Sequence, residues 1–90
     1  MCNAAFTTIA LPCPFTRRNI QKFISEVNNI KSEVLIVKNG RSAPAKSTLG
    51  LISLCCNQGD ELTITCRSRD SDAQADLDRV IEILNTIEDL

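Results

Sequence analysis

The chain has 90 residues, of which 43% are hydrophobic and 23% are charged, as in a small globular domain rather than a disordered or low-complexity segment. Ten basic and eleven acidic side chains give a net charge of −1, which argues against a direct nucleic-acid binder. The absence of histidine excludes histidine triads, histidine metal sites and phosphohistidine, and no apolar run approaches the ~18–20 residues of a membrane span.

The first predicted elements are a strand and an amphipathic helix. The alternating pattern of residues 5–11 predicts a strand that Pro12 ends. Apolar residues then recur at helical spacing and predict a helix over residues 17–28, with Thr16 as its N-cap and Asn28 at its exit. The residues of this apolar stripe are Ile20, Phe23, Ile24 and Val27.

A β-hairpin is predicted next. Residues 33–38 form an apolar run that predicts a second strand. Asn39–Gly40 follows, the dipeptide that type I′ turns favour because both positions need a positive φ. The return strand, residues 41–45, should be short, since Pro44 cannot donate a hydrogen bond to the sheet.

Residues 46–55 predict a short helix with Ser47 as its N-cap. A helix this short can bury only one face, so some of its four large apolar side chains must be exposed. These four are Leu49, Leu51, Ile52 and Leu54. A turn around Gly59 then leads into a strand over residues 61–66. The side chains on one face of that strand are Leu62, Ile64 and Cys66.

The last predicted element is a helix that ends near Glu88. Ser71 and Gln74 have the spacing of a capping box, which marks its start. Its predicted buried stripe consists of Ala73, Leu77, Val80, Ile81, Leu84 and Ile87. The order β-α-β-β-α-β-α predicts an α+β fold in which one antiparallel sheet carries the helices on one face.

The five cysteines have no framework spacing, because their number is odd and no C-x-x-C pair occurs. We interpret them as small hydrophobic residues of a reducing cytoplasm, with Cys66 facing the core, and expect neither a disulfide nor zinc. The five are Cys2, Cys13, Cys55, Cys56 and Cys66. We therefore expect one cytoplasmic domain over residues 1–90, with no cofactor and no membrane contact.

The start of the first helix carries Arg17 and Arg18, with Lys22 one turn further on. Cations at the positive end of a helix cost stability, so they indicate a site for phosphate or for an acidic partner surface. The alternative interpretation is that both arginines are merely solvated. Four aspartates near the last helix are interpreted as its start and its solvated face rather than as an enzyme site. They are Asp70, Asp72, Asp76 and Asp78.

Ser47 is the second candidate site. The plain interpretation is a helix cap that satisfies a free backbone N–H group. The functional interpretation is a regulated hydroxyl, because a phosphate at a helix N-terminus is favourably placed, with Lys46 or Arg41 as a neighbouring cation. Leu49 and Ile52 would then be apolar anchors beside it.

The segment Lys46-Ser-x-x-Gly-Leu-x-Ser-Leu54, preceded by Asn39-Gly40 and Ala45, resembles the regulatory-serine segment of HPr, the small phosphocarrier of the sugar phosphotransferase system. The element order is also similar over nearly the whole chain. This resemblance implies an open-faced β-sandwich of four antiparallel strands under three helices.

The resemblance ends at the carrier site. HPr carries its phosphoryl group on a histidine in a Gly-Leu/Ile-His-x-Arg-Pro pattern. This chain has Thr16 at the histidine, Arg18 at the arginine and Asn19 at the proline. A neutral threonine lacks the nucleophilic nitrogen of histidine, so we expect no carrier activity.

The chain is more similar to the catabolite-repression HPr-like proteins, which lack the carrier histidine but keep the regulatory serine. This resemblance implies a non-enzymatic protein whose Ser47 is phosphorylated by an ATP-dependent, HPr-type serine kinase/phosphorylase. The phosphoprotein would then be a corepressor for a LacI-type transcriptional regulator, or a partner of phosphotransferase-system proteins. The implied partner-binding residues are Phe15, Arg17, Arg18, Lys46, Leu49 and Ile52.

Two other interpretations stay open. One is a degenerate or specialised phosphocarrier that uses Cys13 or Thr16, since a thiolate at a cationic helix start is nucleophilic. The other is an interaction module without a switch, in which Ser47 is only a helix cap.

Overall fold

The computed structural model describes residues 3–12, 14–69 and 72–87. Its elements follow the predicted order βαββαβα, and the α+β fold class is confirmed. The elements are β1 (Asn3–Ala10), α1 (Arg17–Val27), β2 (Glu33–Lys38), β3 (Arg41–Pro44), α2 (Thr48–Ser53), β4 (Glu61–Ser68) and α3 (Ala73–Thr86). Within the described ranges, no helix is both long enough and apolar enough to cross a membrane.

The four strands form one antiparallel sheet in the order β1-β4-β2-β3. The prediction ended β4 at Cys66, whereas the strand continues to Ser68. The extension is paired on both sides, because Asn3 of β1 lies opposite Ser68 and Glu33 of β2 lies opposite Arg67. These partners are distant in the sequence, so the local pattern does not reveal the extension.

The β2–β3 hairpin confirms the predicted turn. Asn39 and Gly40 have φ values of 51° and 79°, the two positive angles that a type I′ turn requires. β3 ends at Pro44, one residue earlier than predicted. The next residue, Ala45, is buried and donates its N–H to the carbonyl oxygen of Val34 at 2.8 Å.

Two of the three predicted helix caps are confirmed, since Thr16 caps α1 and Ser47 caps α2. The third prediction is wrong by one residue, because Asp72 rather than Ser71 caps α3. The carboxylate of Asp72 accepts hydrogen bonds from two N–H groups of the first turn and carries the charge that this helix end favours. Ser71 itself lies outside the described residues.

Four further element ends differ by one or two residues from the prediction, and one of them is the end of α2, which is Ser53 instead of residue 55. β1 ends at Ala10, and the next residue, Leu11, is buried in the core instead. α1 ends at Val27, and α3 ends at Thr86. The predicted end of α3, Glu88, lies outside the described residues.

The core lies between the helices and the inward-facing side chains of the sheet. Its largest fully buried members are Phe23, Leu11, Ile20, Ile36, Leu51, Leu62, Ile64, Leu77 and Leu84. The predicted stripe of α3 is confirmed except at Ile81, which is half-buried, while Ile83 is buried without having been predicted. α3 packs against α1 as well as the sheet, so its buried face is wider than one stripe. The other face of the sheet is open, and Phe6 on it is 74% exposed.

Asp76 corrects the prediction that the aspartates near α3 are all solvated. It is half-buried, and its carboxylate accepts a hydrogen bond from the hydroxyl of the buried Ser32. This bond joins α3 to the loop between α1 and β2. Asp72 and Asp78 are exposed as predicted, and Asp70 lies outside the described residues.

Lys38, at the end of β2, joins three segments of the chain. Its ammonium lies 2.9 Å from Oδ2 of Asp60. It also donates to the carbonyl oxygens of Leu54 at 3.3 Å and Cys55 at 2.6 Å, which follow α2. The hydrogen bond from Lys38, together with one from the N–H of Asn57, holds the pKa of Asp60 below its ordinary value. The same bond to Asp60 raises the pKa of Lys38.

We predict that the Lys38–Asp60 pair makes stability depend on pH in acid. Because the folded-state pKa of Asp60 is lowered, its stabilisation is present above the ordinary value of 3.8 and is lost as the pH falls through the folded-state pKa. Asp60→Asn should therefore lower the Tm at neutral pH and flatten its decline in acid, as measured by circular dichroism.

The control is Glu61→Gln, which changes the exposed carboxylate next in the sequence. It should leave both the neutral Tm and the acid decline close to those of the unmodified protein. If the two variants have the same acid profile, the role assigned to Asp60 is wrong.

Candidate functional site

The first predicted site is the start of α1, where the resemblance implies that Thr16 replaces the carrier histidine. Thr16 is exposed, and its Oγ1 accepts a hydrogen bond from the N–H of Asn19 at 3.2 Å. Its carbonyl oxygen accepts from the N–H of Ile20 at 2.9 Å. The hydroxyl thus caps the helix, and within the described ranges no basic side chain hydrogen-bonds to it to take its proton.

Arg17 and Arg18 follow as the first two residues of α1, and both are exposed. The first turn contains no acidic residue, and among the described residues neither arginine forms an ion pair. Phe15 differs, because it is half-buried and its ring lies 5.6 Å from that of Phe23. The two guanidinium groups are therefore accessible to a partner, whereas Phe15 packs partly into the core.

Two hydrogen bonds fix the loop that leads into α1. The side-chain amide of the buried Asn19 donates to the carbonyl oxygen of Pro14 at 2.8 Å. The N–H of Phe15 donates to the carbonyl oxygen of Cys56 at 3.2 Å. The second bond joins the start of α1 to the segment after α2, and the two helices also pack against each other. The two candidate sites therefore lie on neighbouring elements.

Ser47 lies at the N-cap of α2, directly after the hairpin. Its Oγ accepts a hydrogen bond from the N–H of Gly50 at 3.1 Å. Its carbonyl oxygen accepts from Leu51 at 3.0 Å, and its own N–H donates to the carbonyl oxygen of Pro44 at 3.0 Å. The backbone of Ser47 is thus held on both sides, while its side chain is only half-buried.

The outer face of α2 presents two large apolar side chains. Leu49 is 80% exposed and Ile52 is 41% exposed, whereas Leu51 and Leu54 are buried. The expectation that this short helix buries only one face is confirmed. The exposed pair lies within five residues of Ser47 in the sequence.

The two cations expected near Ser47 have different surroundings. The ammonium of Lys46 donates to the carbonyl oxygen of Ile30 at 3.0 Å, so it can pair with a group on Ser47 only by giving up this bond. Arg41 is exposed at the start of β3 and forms no ion pair with the rest of the described chain.

The described cysteines are not all buried. Cys66 is buried as predicted, and burial raises the pKa of its thiol to about 11; burial also raises the pKa of Cys56. Cys55 is exposed, which corrects the expectation, because it leaves α2 in the left-handed conformation with a φ of 53°.

Cys2 and Cys13 lie outside the described residues. Within the described ranges no group of three potential metal ligands occurs.

Three residues that organise these sites were not predicted to do so. Asn19 lies four residues before Phe23, on the buried face of α1, and this spacing could have identified it. Gly50 lies inside a predicted helix, where no turn requires a glycine. This unusual position could have identified it as well. Lys38 gave no signal, because its partner Asp60 is remote in the sequence.

Comparison with known proteins supports the resemblance. The family model described as the PTS HPr component phosphorylation site matches residues 6–86. The HPr-like protein Crh of Bacillus subtilis (strain 168) is 38% identical over 48 residues, 53% of this chain and 56% of that protein. The chain thus aligns with only about half the length of this relative. The phosphocarrier protein HPr of Haemophilus influenzae is 31% identical over 71 residues, 79% of this chain and 81% of that protein.

Solved structures show the same fold. The crystal structure of HPr-C-His from Thermoanaerobacter tengcongensis has a TM-score of 0.81 and covers 96% of this chain and 99% of its own, at 19% identity. The family match includes both candidate sites, Thr16 and Ser47. On this match, the chain belongs to the HPr family of the phosphotransferase system.

Proposed function

We propose that this chain is a non-enzymatic, cytoplasmic regulator of carbon catabolite control that is switched by phosphorylation of Ser47. An ATP-dependent, HPr-type serine kinase/phosphorylase adds and removes the phosphate, and the phosphorylated form binds a LacI-type transcriptional regulator. One observation carries this proposal. The hydroxyl of the half-buried Ser47 caps α2 near the exposed Leu49 and Ile52, in the segment that resembles the regulatory-serine segment of the family.

Phosphorylation would change the surface more than the fold. The backbone of Ser47 is held by Pro44 on one side and Leu51 on the other, through groups that the modification does not touch. The phosphate adds about −1.5 to −2 charges and three strong acceptor oxygens. Loss or rearrangement of the cap bond to Gly50 changes stability by at most ~1–2 kcal/mol, the scale of N-cap effects. The partner therefore reads the new charge directly.

The apolar pair and the arginines supply the rest of the proposed partner surface. Full burial of a large aliphatic side chain is worth about 1.5–3 kcal/mol, and a partner that covers the pair gains most of this at Leu49 and less than half of it at the more buried Ile52. Arg17 and Arg18, on the neighbouring helix, form no ion pair within the described part of the chain and offer their exposed guanidinium groups to acidic side chains. Phosphate recognition then adds charge-assisted hydrogen bonds, which makes binding depend on the switch.

A phosphocarrier role has little chemical support at Thr16. A threonine hydroxyl becomes a useful nucleophile only when a base removes its proton, and the described hydrogen bonds of Thr16 are with the backbone of α1. A phosphothreonine ester also lacks the transfer potential of phosphohistidine. We therefore assign the regulatory function to Ser47 and no carrier function to Thr16.

The first prediction concerns affinity for a purified LacI-type regulator. Protein phosphorylated at Ser47 should bind about tenfold or more tightly than the unmodified protein, the factor expected of one charge-assisted hydrogen bond. Ser47→Ala should bind weakly before and after kinase treatment, as measured by calorimetry. The control is Ser53→Ala, which removes the other serine of α2 and should behave as the unmodified sequence does. Equal affinity of the phosphorylated protein and Ser47→Ala would contradict the proposal.

The second prediction concerns Arg18. Arg18→Ala should weaken binding of the phosphorylated protein to the regulator severalfold, the scale of a surface ion pair, with little change in Tm. The Tm of Arg18→Ala should stay close to that of the unmodified protein, because a cation at this helix end does not stabilise the helix. The control is Arg67→Ala, which removes another exposed arginine, on the open face of the sheet. Unchanged affinity of Arg18→Ala would mean that this arginine is only solvated.

The third prediction concerns phosphate transfer from phosphoenolpyruvate. The unmodified protein should accept no phosphate from the general phosphotransferase enzyme, as followed by intact mass. Thr16→His should restore transfer only in part, because Pro14 and Asn19 hold the loop by a hydrogen bond that the family pattern lacks. Robust labelling of the unmodified protein would refute this prediction, and labelling confined to Cys13 would establish the alternative carrier.

A further inference from the structure

Gly50, the third residue of α2, stands where an added Cβ atom would be closely packed against its neighbours. A Cβ atom added to it would lie 3.0 Å from Cβ of Ala43 on β3. The same atom would lie 3.1 Å from Oγ and 3.3 Å from Cβ of Ser47. All three distances are shorter than ordinary van der Waals contact between such atoms. The hydroxyl of Ser47 therefore lies in a narrow slot, which we define by Ala43, Ser47 and Gly50.

The backbone conformation does not explain why residue 50 is a glycine. The glycines with positive φ are Gly40 and Gly59, so Gly50 has a conformation that any residue adopts. Glycine is also the least favourable residue in a helix after proline. A helix-forming residue here would strengthen α2, and the steric slot is the feature that opposes one.

We infer that Gly50 is the positioning residue for phosphorylation of Ser47. Its missing side chain leaves space for the Ser47 side chain, and its N–H holds Oγ at 3.1 Å. This inference rests on the proposed function of Ser47. It adds that the kinase requires a glycine three residues after the serine, because any Cβ there forces the hydroxyl out of its observed position.

The chemistry at Oγ explains why its position matters. In the transfer, a base of the kinase takes the proton from Oγ, a bond forms from Oγ to the γ-phosphorus of ATP, and the bond to the leaving ADP breaks. Negative charge develops on Oγ as its proton leaves, and the N–H of Gly50 already donates a hydrogen bond to that atom. Displacing Oγ by a few tenths of an ångström changes its distance to the γ-phosphorus and weakens the hydrogen bond from Gly50.

If Gly50 only relieves crowding against β3, removing the methyl group of Ala43 should restore both stability and phosphorylation in Gly50→Ala. If Gly50 positions Ser47, only stability should be restored. In Gly50→Ala the new methyl group presses on Ala43 and on Ser47 together. In the double variant Gly50→Ala/Ala43→Gly the contact with β3 is removed, while the contacts with Oγ and Cβ of Ser47 remain. Ala43→Gly alone is the matched control for the loss of the Ala43 methyl group.

The experiment measures Tm and the steady-state kinetics of Ser47 phosphorylation by ATP and an HPr-type serine kinase for all four proteins. We expect kcat/KM to fall about tenfold or more in both proteins that carry Gly50→Ala, a factor that corresponds to about 1.4 kcal/mol of transition-state stabilisation. Ala43→Gly alone should keep the original kcat/KM. The double variant should melt close to Ala43→Gly while remaining a poor substrate.

Normal kcat/KM in the double variant would overturn the positioning role and leave the proposed function intact. Absence of phosphorylation of the unmodified protein would instead overturn the proposed function, and the positioning role with it. The hydrogen bond from the N–H of Gly50 to Oγ of Ser47 is also tested without a kinase. The measurement is the NMR chemical shift of the Gly50 amide proton, compared between the unmodified protein and Ser47→Ala. A shift to lower frequency supports the bond from Gly50 to Oγ, and an unchanged shift contradicts it.

Discussion

The short length of α2 is the constraint from which the arrangement of the proposed regulatory surface follows. Six residues give little more than one and a half turns, so the helix buries Leu51 and, just after its end, Leu54, but no second face. Full burial of such a side chain is worth about 1.5–3 kcal/mol; Leu49, which is 80% exposed, forgoes most of this, and Ile52, which is 41% exposed, forgoes less than half. A chain selected for stability alone would carry polar residues there. This exposure supports the proposal that the pair is partner surface.

So short a helix is not stable by itself, and contacts at both ends hold it in place. Ser47 caps its start, and the ammonium of Lys38 binds the carbonyl oxygens that follow its end. The carbonyl oxygen of Cys56, just beyond, accepts the N–H of Phe15 and so fixes the entry to α1. These contacts join the start of α1 to the segment after α2, and they support the proposal that a phosphate on Ser47 is recognised without a conformational change.

Features that depend on neighbours in the sequence could be predicted, and features that depend on remote partners could not. The Asn39–Gly40 turn and the Thr16 and Ser47 caps are local chemistry, and all three are confirmed. The bond between Ser32 and Asp76 joins residues 44 positions apart, and the two-sided pairing that extends β4 is equally remote. The candidate site divides in the same way. Its serine and exposed apolar pair follow from local pattern, whereas the steric slot around Gly50 requires the position of β3.

The central claim is that an HPr fold without its carrier histidine serves as a serine switch. Its most direct test uses two parallel reactions, one with phosphoenolpyruvate and the general phosphotransferase enzyme and one with ATP and an HPr-type serine kinase, so that the source of each phosphate is known. Mass spectrometry then maps every phosphate. The account predicts one acid-stable phosphoester, on Ser47, with its phosphate derived from ATP. Phosphate derived from phosphoenolpyruvate at any residue, or a protein whose Ser47 stays unmodified, would contradict it.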